Sequence, residues 1–429
     1  MHTQGHSTPL RIAVVGGGIA GIAAAYALQH RHRVVLFDQN AYLGGHTHTI
    51  VIADGPDAGT PVDTGFIVFN DRTYPLLNRF FRELGVAIEK SDMSFSYYEE
   101  DSEFQYASSN PDTLFAQRRN LLDPSYWSML GEILRFNRRV TGLLESKQLD
   151  KLTIGKFLRQ YRFSPRFRRR YLFPMVAAIW SAPELVVDRF PMLTFARFFH
   201  NHGLLTVMRH PQWYVVSGGS HTYVKRFVAQ FPGRVVADCP IVSIRRGDQG
   251  VSLRRADGKT LSVDRVVIAT HADQALSLLT DPSDTERRLL GAWRYSTNET
   301  YLHRDVGWMP SRPKAWASWN FVRQRSAEAR SPVTLTYYMN RLQRLSTRYP
   351  YLVTLNPFKP IAPDKVVAHL TYTHPVFDAR SLATQALLPA LNGVRSTYFC
   401  GSYFGYGFHE DAARSGFQAA ASLGGSHAV

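Results

Sequence analysis

Residues Arg11–Asp38 read RIAVVGGGIAGIAAAYALQHRHRVVLFD, and this stretch decides the fold. Arg11–Val15 is a short apolar run that predicts a strand. Ile19–Gln29 is rich in alanine and apolar all round, which suits a buried helix. Arg33–Phe37 is a second strand-like run, closed by Asp38. Strand, glycine turn, helix and strand within about thirty residues make a βαβ unit.

Gly16, Gly18 and Gly21 hold the fixed positions of G-x-G-x-x-G. Gly16 permits the tight turn, Gly18 lets the backbone approach a pyrophosphate, and Gly21 lets the helix pack on the strand. The helix N-terminus at Ile19 and Ala20 then faces the phosphates. Asp38 stands seventeen residues past Gly21, where a carboxylate accepts hydrogen bonds from a ribose 2′-hydroxyl. A carboxylate there disfavours a 2′-phosphate, which argues against NADP. The motif alone serves NAD and FAD equally, so an NAD-dependent dehydrogenase stays open at this point. Ile12–Leu28 holds no charge and imitates a signal or spanning segment. Its glycines at 16, 17, 18 and 21 break the first half of any such helix. No other stretch approaches spanning length, so neither secretion nor a membrane span is predicted.

Outward from this unit come further glycine-lined turns. Leu43-Gly44-Gly45-His46-Thr47 follows the second strand and gives a second close backbone approach. Val62-Asp63-Thr64-Gly65 is a short strand and turn. Near the other end, Thr397–Cys400 predicts a strand closing on Gly401 and Ser402. Gly405-Tyr406-Gly407-Phe408-His409 then leads to a helix from about Asp411 to Leu423. This second nest opens another helix N-terminus.

The remaining chain is bounded by composition. Its 429 residues are 45% hydrophobic and 20% charged, which excludes wholesale disorder and a polytopic membrane protein. Two cysteines, Cys239 and Cys400, exclude a disulfide framework and point to a reducing cytoplasm. Helices are predicted over 73–85 and 125–145. Strands are predicted over 213–216, 234–238, 241–246, 251–254 and 261–270, and near 299–303, 333–339 and 366–372. Residues 91–204 are dominated by aromatics and arginines and read as several helices. His46/His48 and His200/His202 are H-x-H pairs that no Cys or carboxylate cluster completes, so no metal site is predicted. Ser217-Gly218-Gly219-Ser220 reads as a helix-start loop, and Ser220 lies outside G-x-S-x-G, so no hydrolase triad is indicated.

The formal charge is +16, and the excess is uneven: residues 151–210 hold eleven Lys and Arg against two Asp and Glu. The run Arg162–Phe173 (RFSPRFRRRYLF) interleaves Arg162, Arg166, Arg168, Arg169 and Arg170 with Phe and Tyr. As a helix it would present cationic and aromatic faces to an anionic bilayer. The plain alternative is a solvated patch. Interleaved Arg and aromatics also suit single-stranded nucleic acid, but no nucleic acid partner is expected. The predicted location is cytoplasmic, peripheral on the inner face of the membrane.

The glycine motifs and the two ends of the chain resemble the flavin-containing amine oxidase superfamily, which includes monoamine oxidases, protoporphyrinogen oxidases and phytoene desaturases. The resemblance covers the first ninety residues, about 213–275, and the last thirty-five. Within that group the chain looks most like the flavoproteins found beside, or fused to, cyclopropane fatty acid synthases. The resemblance implies an α/β fold: a Rossmann-like FAD-binding domain from 1–90, 205–275 and 395–429, with an inserted α+β substrate domain from 91–204 and 276–394. It implies non-covalent FAD held by Gly16, Gly18, Ile19, Ala20, Gly21, Asp38, Gly44, Gly45, His46, Ile241, Gly401, Ser402 and His409. Ile241 matches the strand whose backbone meets the adenine. His409 matches the position whose backbone N–H faces the flavin pyrimidine, where a helix N-terminus favours reduced flavin. Phe408 matches one wall of the monoamine oxidase aromatic cage.

Three departures stand out. The family's Arg after the glycine pair is His46, its C-terminal Asp or Thr is Ser402, and no second aromatic is placed as the opposite cage wall. Cys400 does not match the cysteine that tethers flavin in monoamine oxidases. The implied activity is hydride transfer between a hydrophobic substrate, a membrane lipid acyl chain first, and flavin N5, with Phe408 and His409 nearest the ring. No acid–base dyad is required, because the cofactor carries the chemistry. Amine oxidation, or service as a non-catalytic FAD-binding partner of a lipid methyltransferase, are the alternatives.

Overall fold

β1 (Arg11–Val15) and β2 (Arg33–Phe37) lie parallel, in register from Arg11 beside Arg33 to Val15 beside Phe37. The computed structural model describes residues 8–180, 184–206, 210–324 and 333–426. β3 (Arg234–Val236) extends the sheet beyond β2. On the other flank β4 (Arg265–Ile268) pairs with β1, and β5 (Thr397–Phe399) pairs with β4. All are parallel, in the order β3-β2-β1-β4-β5. The direction of winding reverses at β1. The crevice beyond the carboxyl ends of β1 and β4 is therefore the switch point where open α/β sheets bind ligands.

Between β1 and β2 runs α1 (Ile19–Leu28), buried along nearly its whole length. Its alanines keep it thin enough to lie between the sheet and the last helix, α5 (His409–Ala421). Gly416 makes that approach, since a Cβ there would meet the Ala20 carbonyl oxygen at 2.1 Å. α2 (Pro75–Glu83) starts without a side-chain cap of its own. The Glu410 carboxylate of α5 caps it instead, accepting from the Leu76 and Leu77 N–H groups at 3.0 Å each.

A second sheet of seven strands runs from Val366–Val376 through 294–303, 352–355, 335–338, 319–323 and 95–99 to Phe104–Ala107. Two of its strands, Phe95–Glu99 and Phe104–Ala107, fall in the region the sequence read as helical. α3 (Pro124–Leu143) and α4 (Met192–Asn201) close over this sheet around a core that includes Tyr106, Tyr126, Phe136 and Phe195. α3 is started by Asp123, whose carboxylate accepts from the Ser125 N–H at 2.9 Å.

Two sequence expectations need correction. Residues 261–270 are not one strand. Thr260–Val263 joins a separate antiparallel sheet with 241–247 and 250–255, and β4 begins after a break at Asp264. The Asp264 carboxylate is turned to the Arg11 N–H at 2.7 Å and to the Arg11 guanidinium at 3.0 Å.

The basic run does not form a cationic helix face. It runs without a break through a short helix at Pro165–Phe167, a π-helical turn at Arg168–Leu172 and a helix at Phe173–Trp180, but its arginines after Arg162 are turned to carboxylates of the fold. Arg166 pairs with Asp123 at 2.8 Å, Arg168 with Asp188 at 3.0 Å, and Arg169 with Glu99 at 3.0 Å. Arg170 reaches the other Glu99 oxygen at 2.5 Å. Arg166, Arg168 and Arg170 are only 20–27% exposed. The interleaved aromatics serve the same packing: the Arg170 guanidinium lies 4.2 Å from the Phe104 ring centre. Of the five, Arg162 alone keeps an exposed place with no carboxylate partner among the described residues. Among those residues, too, no helix is long and apolar enough to cross a membrane.

Candidate active site

The turn after β1 is shaped by what its glycines cannot carry. Gly16 has φ +107°, and a Cβ there would sit 2.8 Å from the Ala269 carbonyl oxygen, just past β4. A Cβ on Gly21 would lie 1.9 Å from the Gly16 carbonyl oxygen, so helix and turn close only with glycine. Gly18 differs from both: a Cβ there would meet nothing within 4 Å. Gly18 is also the N-cap of α1, which has no side-chain cap and no acid in its first turn. The first N–H groups of α1 thus open onto free space with their partial positive charge unanswered.

The second glycine pair closes over the first. The Gly44 N–H donates to the Gly17 carbonyl at 2.9 Å. Gly45, at φ +59°, would place a Cβ 3.3 Å from the Gly18 Cα. A groove walled by main chain results, of the kind a pyrophosphate can enter. Asp38 closes its far side. One carboxylate oxygen accepts from the Gly17 N–H at 2.7 Å and the other from the Asn40 N–H at 2.8 Å. Burial raises its pKa despite these bonds. Two carboxylate oxygens offer about four acceptor sites, so capacity for ribose hydroxyls remains. Ile241 and Cys239 line the cavity together with Asp38.

From the C-terminal side, Gly401, Ser402, Phe408 and His409 line the same cavity. Phe408 is the N-cap of α5. Its ring stacks on Phe198 of α4 at 5.0 Å. The His409 imidazole is engaged inside the fold. Its Nε2 lies 2.8 Å from the Thr47 hydroxyl, which in turn lies 2.7 Å from the Tyr223 hydroxyl, and its ring stacks on Phe66 at 3.7 Å. This polar chain ties the N-terminal glycine loop to the C-terminal helix. The positive end of α5 is partly answered by its own Glu410 and Asp411. The Asp411 carboxylate accepts from the Tyr406 and Phe408 N–H groups at 3.0 and 3.1 Å. The field at this helix end is therefore weaker than a bare helix end would give.

His46 is joined by two histidines that sequence reasoning missed, His271 and His374. Ring centres of His46 and His374 are 5.3 Å apart, and those of His46 and His271 are 6.3 Å apart. Burial first, then the mutual repulsion of the rings, holds His374 down to about 3 and His271 down to about 4, so both are neutral at pH 7. Asn298 Nδ2 donates to His374 Nδ1 at 2.9 Å, which places the proton on Nε2. The His46 Nε2 is buried with no partner among the described residues. Only His46 sat in a motif; positions 271 and 374 carry no pattern that links them. Among the described residues no group of three or more His, Cys, Asp or Glu stands together as a metal would need.

These parts enclose one cavity of about 1500 Å³. Ligand pockets commonly hold about 300–1,000 Å³, so there is room for a cofactor and a second molecule. Away from the glycines the wall turns apolar, with Leu114, Leu130, Ile133, Tyr171, Met175 and Ile179. Trp319 and Tyr337 of the seven-stranded sheet line the same space, aromatics that sequence reasoning did not place. Among the described lining residues the only carboxylates are Asp38 and Asp92.

Residues 19–300 match the family described as flavin containing amine oxidoreductase. No curated protein matches the chain. Solved structures of similar fold include cyclohexylamine oxidase from Brevibacterium oxydans, with TM-score 0.70 and 17% identity over 97% of this chain and 99% of that one. Putrescine oxidase bound to putrescine has TM-score 0.71 and 15% identity over the same shares. A CLA-producing fatty acid isomerase from P. acnes has TM-score 0.68 and 14% identity, again over 97% and 99%.

Proposed function

Because this chain belongs to the flavin-containing amine oxidoreductase family and is therefore a flavin-dependent oxidoreductase, we propose that it holds FAD non-covalently and exchanges a hydride between flavin N5 and a long apolar substrate, an acyl chain of a membrane lipid first. The residues fit that group. Gly18 leaves a cradle that any side chain would fill, Asp38 keeps acceptor capacity, and His46 keeps a buried ring nitrogen with no partner among the described residues. Cys400 is fully buried in the core and burial pushes its thiol up, so it supplies no thiolate for a tether. Cys239 lies at the Asp38 end of the cavity, beside Ile241, where the adenosine half would sit.

The observation that carries the substrate class is the apolar wall of α3 and of the helical segment around Tyr171, Met175 and Ile179. Such a wall excludes water and orients a chain without hydrogen bonds. Neutral His271 and His374 add polar edges but no charge. One structural neighbour is a fatty acid isomerase, which accords with this reading. Amine oxidation is the second reading, favoured by the amine oxidases among the neighbours. A charged ammonium entering the cavity would want a carboxylate along its path, away from the reacting carbon. Asp38 is committed to the glycine turn and Asp92 is exposed.

The test is anaerobic. The oxidised protein is mixed with liposomes carrying unsaturated or branched acyl chains, and separately with soluble amines, while flavin absorbance is followed. Bleaching by lipid is the expected result. Bleaching by an amine and by no lipid would reverse the choice, and bleaching by neither would leave the FAD-holding methyltransferase partner. Heating should release the flavin into the supernatant; colour retained on the precipitate would refute the non-covalent part.

A further inference from the structure

We propose that the rim of the cavity formed by the turn 118–122 and α3 docks on an anionic bilayer leaflet, and that acyl chains enter beside Leu134. This rests on the lipid reading above and gives it a location that the arginine run does not supply. Among the described residues, twelve large apolar side chains are exposed, and four of them, Leu121, Leu122, Trp127 and Leu134, fall between 121 and 134. Leu122 is 87% exposed, Trp127 50% and Leu134 53%. On α3, Trp127, Gly131, Leu134 and Arg138 recur at spacings of four, three and four, which puts them on one face. The opposite face, with Tyr126, Met129, Phe136 and Val140, is buried. α3 thus carries two large apolar side chains, Trp127 and Leu134, on the side turned away from its core.

The uncovered side is continuous with the cavity. Leu130, Ile133 and Leu134 line it, and Leu134 is at once lining and exposed, which marks the mouth. What covers this face also stands at the entrance, so an apolar partner there delivers apolar substrate. The Trp127 ring is held in place, its Nε1–H donating to the Leu121 carbonyl at 2.9 Å and its ring centre lying 5.2 Å from that of Phe115. A fixed Trp beside leucines is an interfacial anchor.

Charge supports an anionic surface. Arg119, Arg138 and Arg139 are exposed around the apolar stripe. Three acids beside these residues are paired within the protein: Asp112 with Arg118 and with Lys314, Asp123 with Arg166, and Glu132 with Arg135. Exposed apolar residues flanked by arginines form the pattern of an interfacial helix.

The purified, flavin-loaded protein is sedimented with phosphatidylcholine vesicles, with or without phosphatidylglycerol. Wild type and Val306→Glu, a change at an exposed apolar site elsewhere, should bind the phosphatidylglycerol vesicles alike. Leu122→Glu/Trp127→Glu should bind at least about tenfold more weakly while keeping its yellow colour and its circular dichroism. Equal binding by the double variant, or none by wild type, would overturn the docking face. Equal binding of wild type to vesicles without phosphatidylglycerol would overturn its anionic character. A double variant that changes the protein's mass in solution without vesicles would identify the face as a protein contact instead. If vesicles bind as expected but no acyl chain bleaches the flavin, the docking face stands and the substrate reading falls.

Discussion

The two ends of the cavity are built from different material. At one end the wall is mainly main chain: Gly18, Gly44 and Gly45 close a groove to which Asp38 adds a side chain at the far side. At the other end the wall is side chain: Leu130 and Ile133 from α3, with Tyr171, Met175 and Ile179 from the segment beside it. A main-chain wall has one shape, and only the absence of a Cβ permits it. A side-chain wall can be redrawn by volume-conserving swaps without unfolding. The first end fixes which cofactor class can lie there; the second sets what lies beside it.

The sharpest way to break the glycine end is to compare two of its own positions. Gly21→Val should abolish folding, because its first carbon would lie 1.9 Å from the Gly16 carbonyl oxygen. Gly18→Leu should leave circular dichroism intact, because nothing stands within 4 Å of that carbon, yet the protein should purify colourless. A loss of about 100-fold or more in flavin affinity corresponds to at least about 2.7 kcal/mol. A yellow Gly18→Leu protein would mean that the groove does not hold the cofactor.

Asp38→Asn comes next. The amide keeps one acceptor oxygen where the carboxylate has two, so it cannot serve the Gly17 and Asn40 N–H groups and a ribose together. Hydrogen bonds to a charged group contribute about 1.5–3 kcal/mol, so affinity for FAD should fall by roughly 10- to 100-fold on titration of the apoprotein. Binding of FAD at wild-type strength would remove Asp38 from the ribose.

The glycine end was legible because its requirements are absolute: φ of +107° at Gly16 and the close approach at Gly21 exclude other residues, so the motif is written in the sequence. The alanine-rich α1 and the strands that flank it were legible for a related reason, since small and apolar residues recur where burial is complete. The far end left less trace. Phe95–Glu99 and Phe104–Ala107 are buried almost entirely on both faces, which erases the alternation that marks a half-buried strand. His271 and His374 stand 225 and 328 positions from His46 by number, and only the meeting of two sheets unites them. The basic run displayed its own charges, while Asp123, Asp188 and Glu99, which answer them, come from elsewhere in the chain.

The histidines lie where the two ends meet, and pH should probe them. An unfolded histidine titrates near 6.5, whereas His374 is held down to about 3 and His271 to about 4. Between those values the unfolded chain binds more protons. The histidines' contribution to stability is therefore full above about pH 6.5 and falls as pH drops, by at most about 1.4 kcal/mol per pH unit for each of them. Asp63, raised to about 6 by burial, works in the opposite direction between about pH 6 and 4. The informative quantity is thus a difference: His374→Asn should melt with a shallower pH dependence than wild type between pH 6 and 4. Parallel curves would mean that His374 charges freely in the folded state.

The smallest effect is expected from the arginine run, and it separates the two readings of that region. Arg169 is 53% exposed and pairs with Glu99 at 3.0 Å. Glu99 is also held by Arg170 and by the Ser102 hydroxyl, and the charges and hydrogen bonds of these partners keep its carboxyl below the usual range against the upward push of burial. Removing the exposed partner leaves the buried carboxylate served by the others, so Arg169→Gln should cost at most about 1 kcal/mol. In a protein of this size that is a shift of a few degrees or less in thermal midpoint. Its binding to phosphatidylglycerol vesicles should stay near wild type, because its charge is spent inside the molecule. If Arg169→Gln weakens vesicle binding as strongly as Leu122→Glu/Trp127→Glu does, the arginine run faces the membrane after all, and the apolar rim of α3 must be assigned another partner.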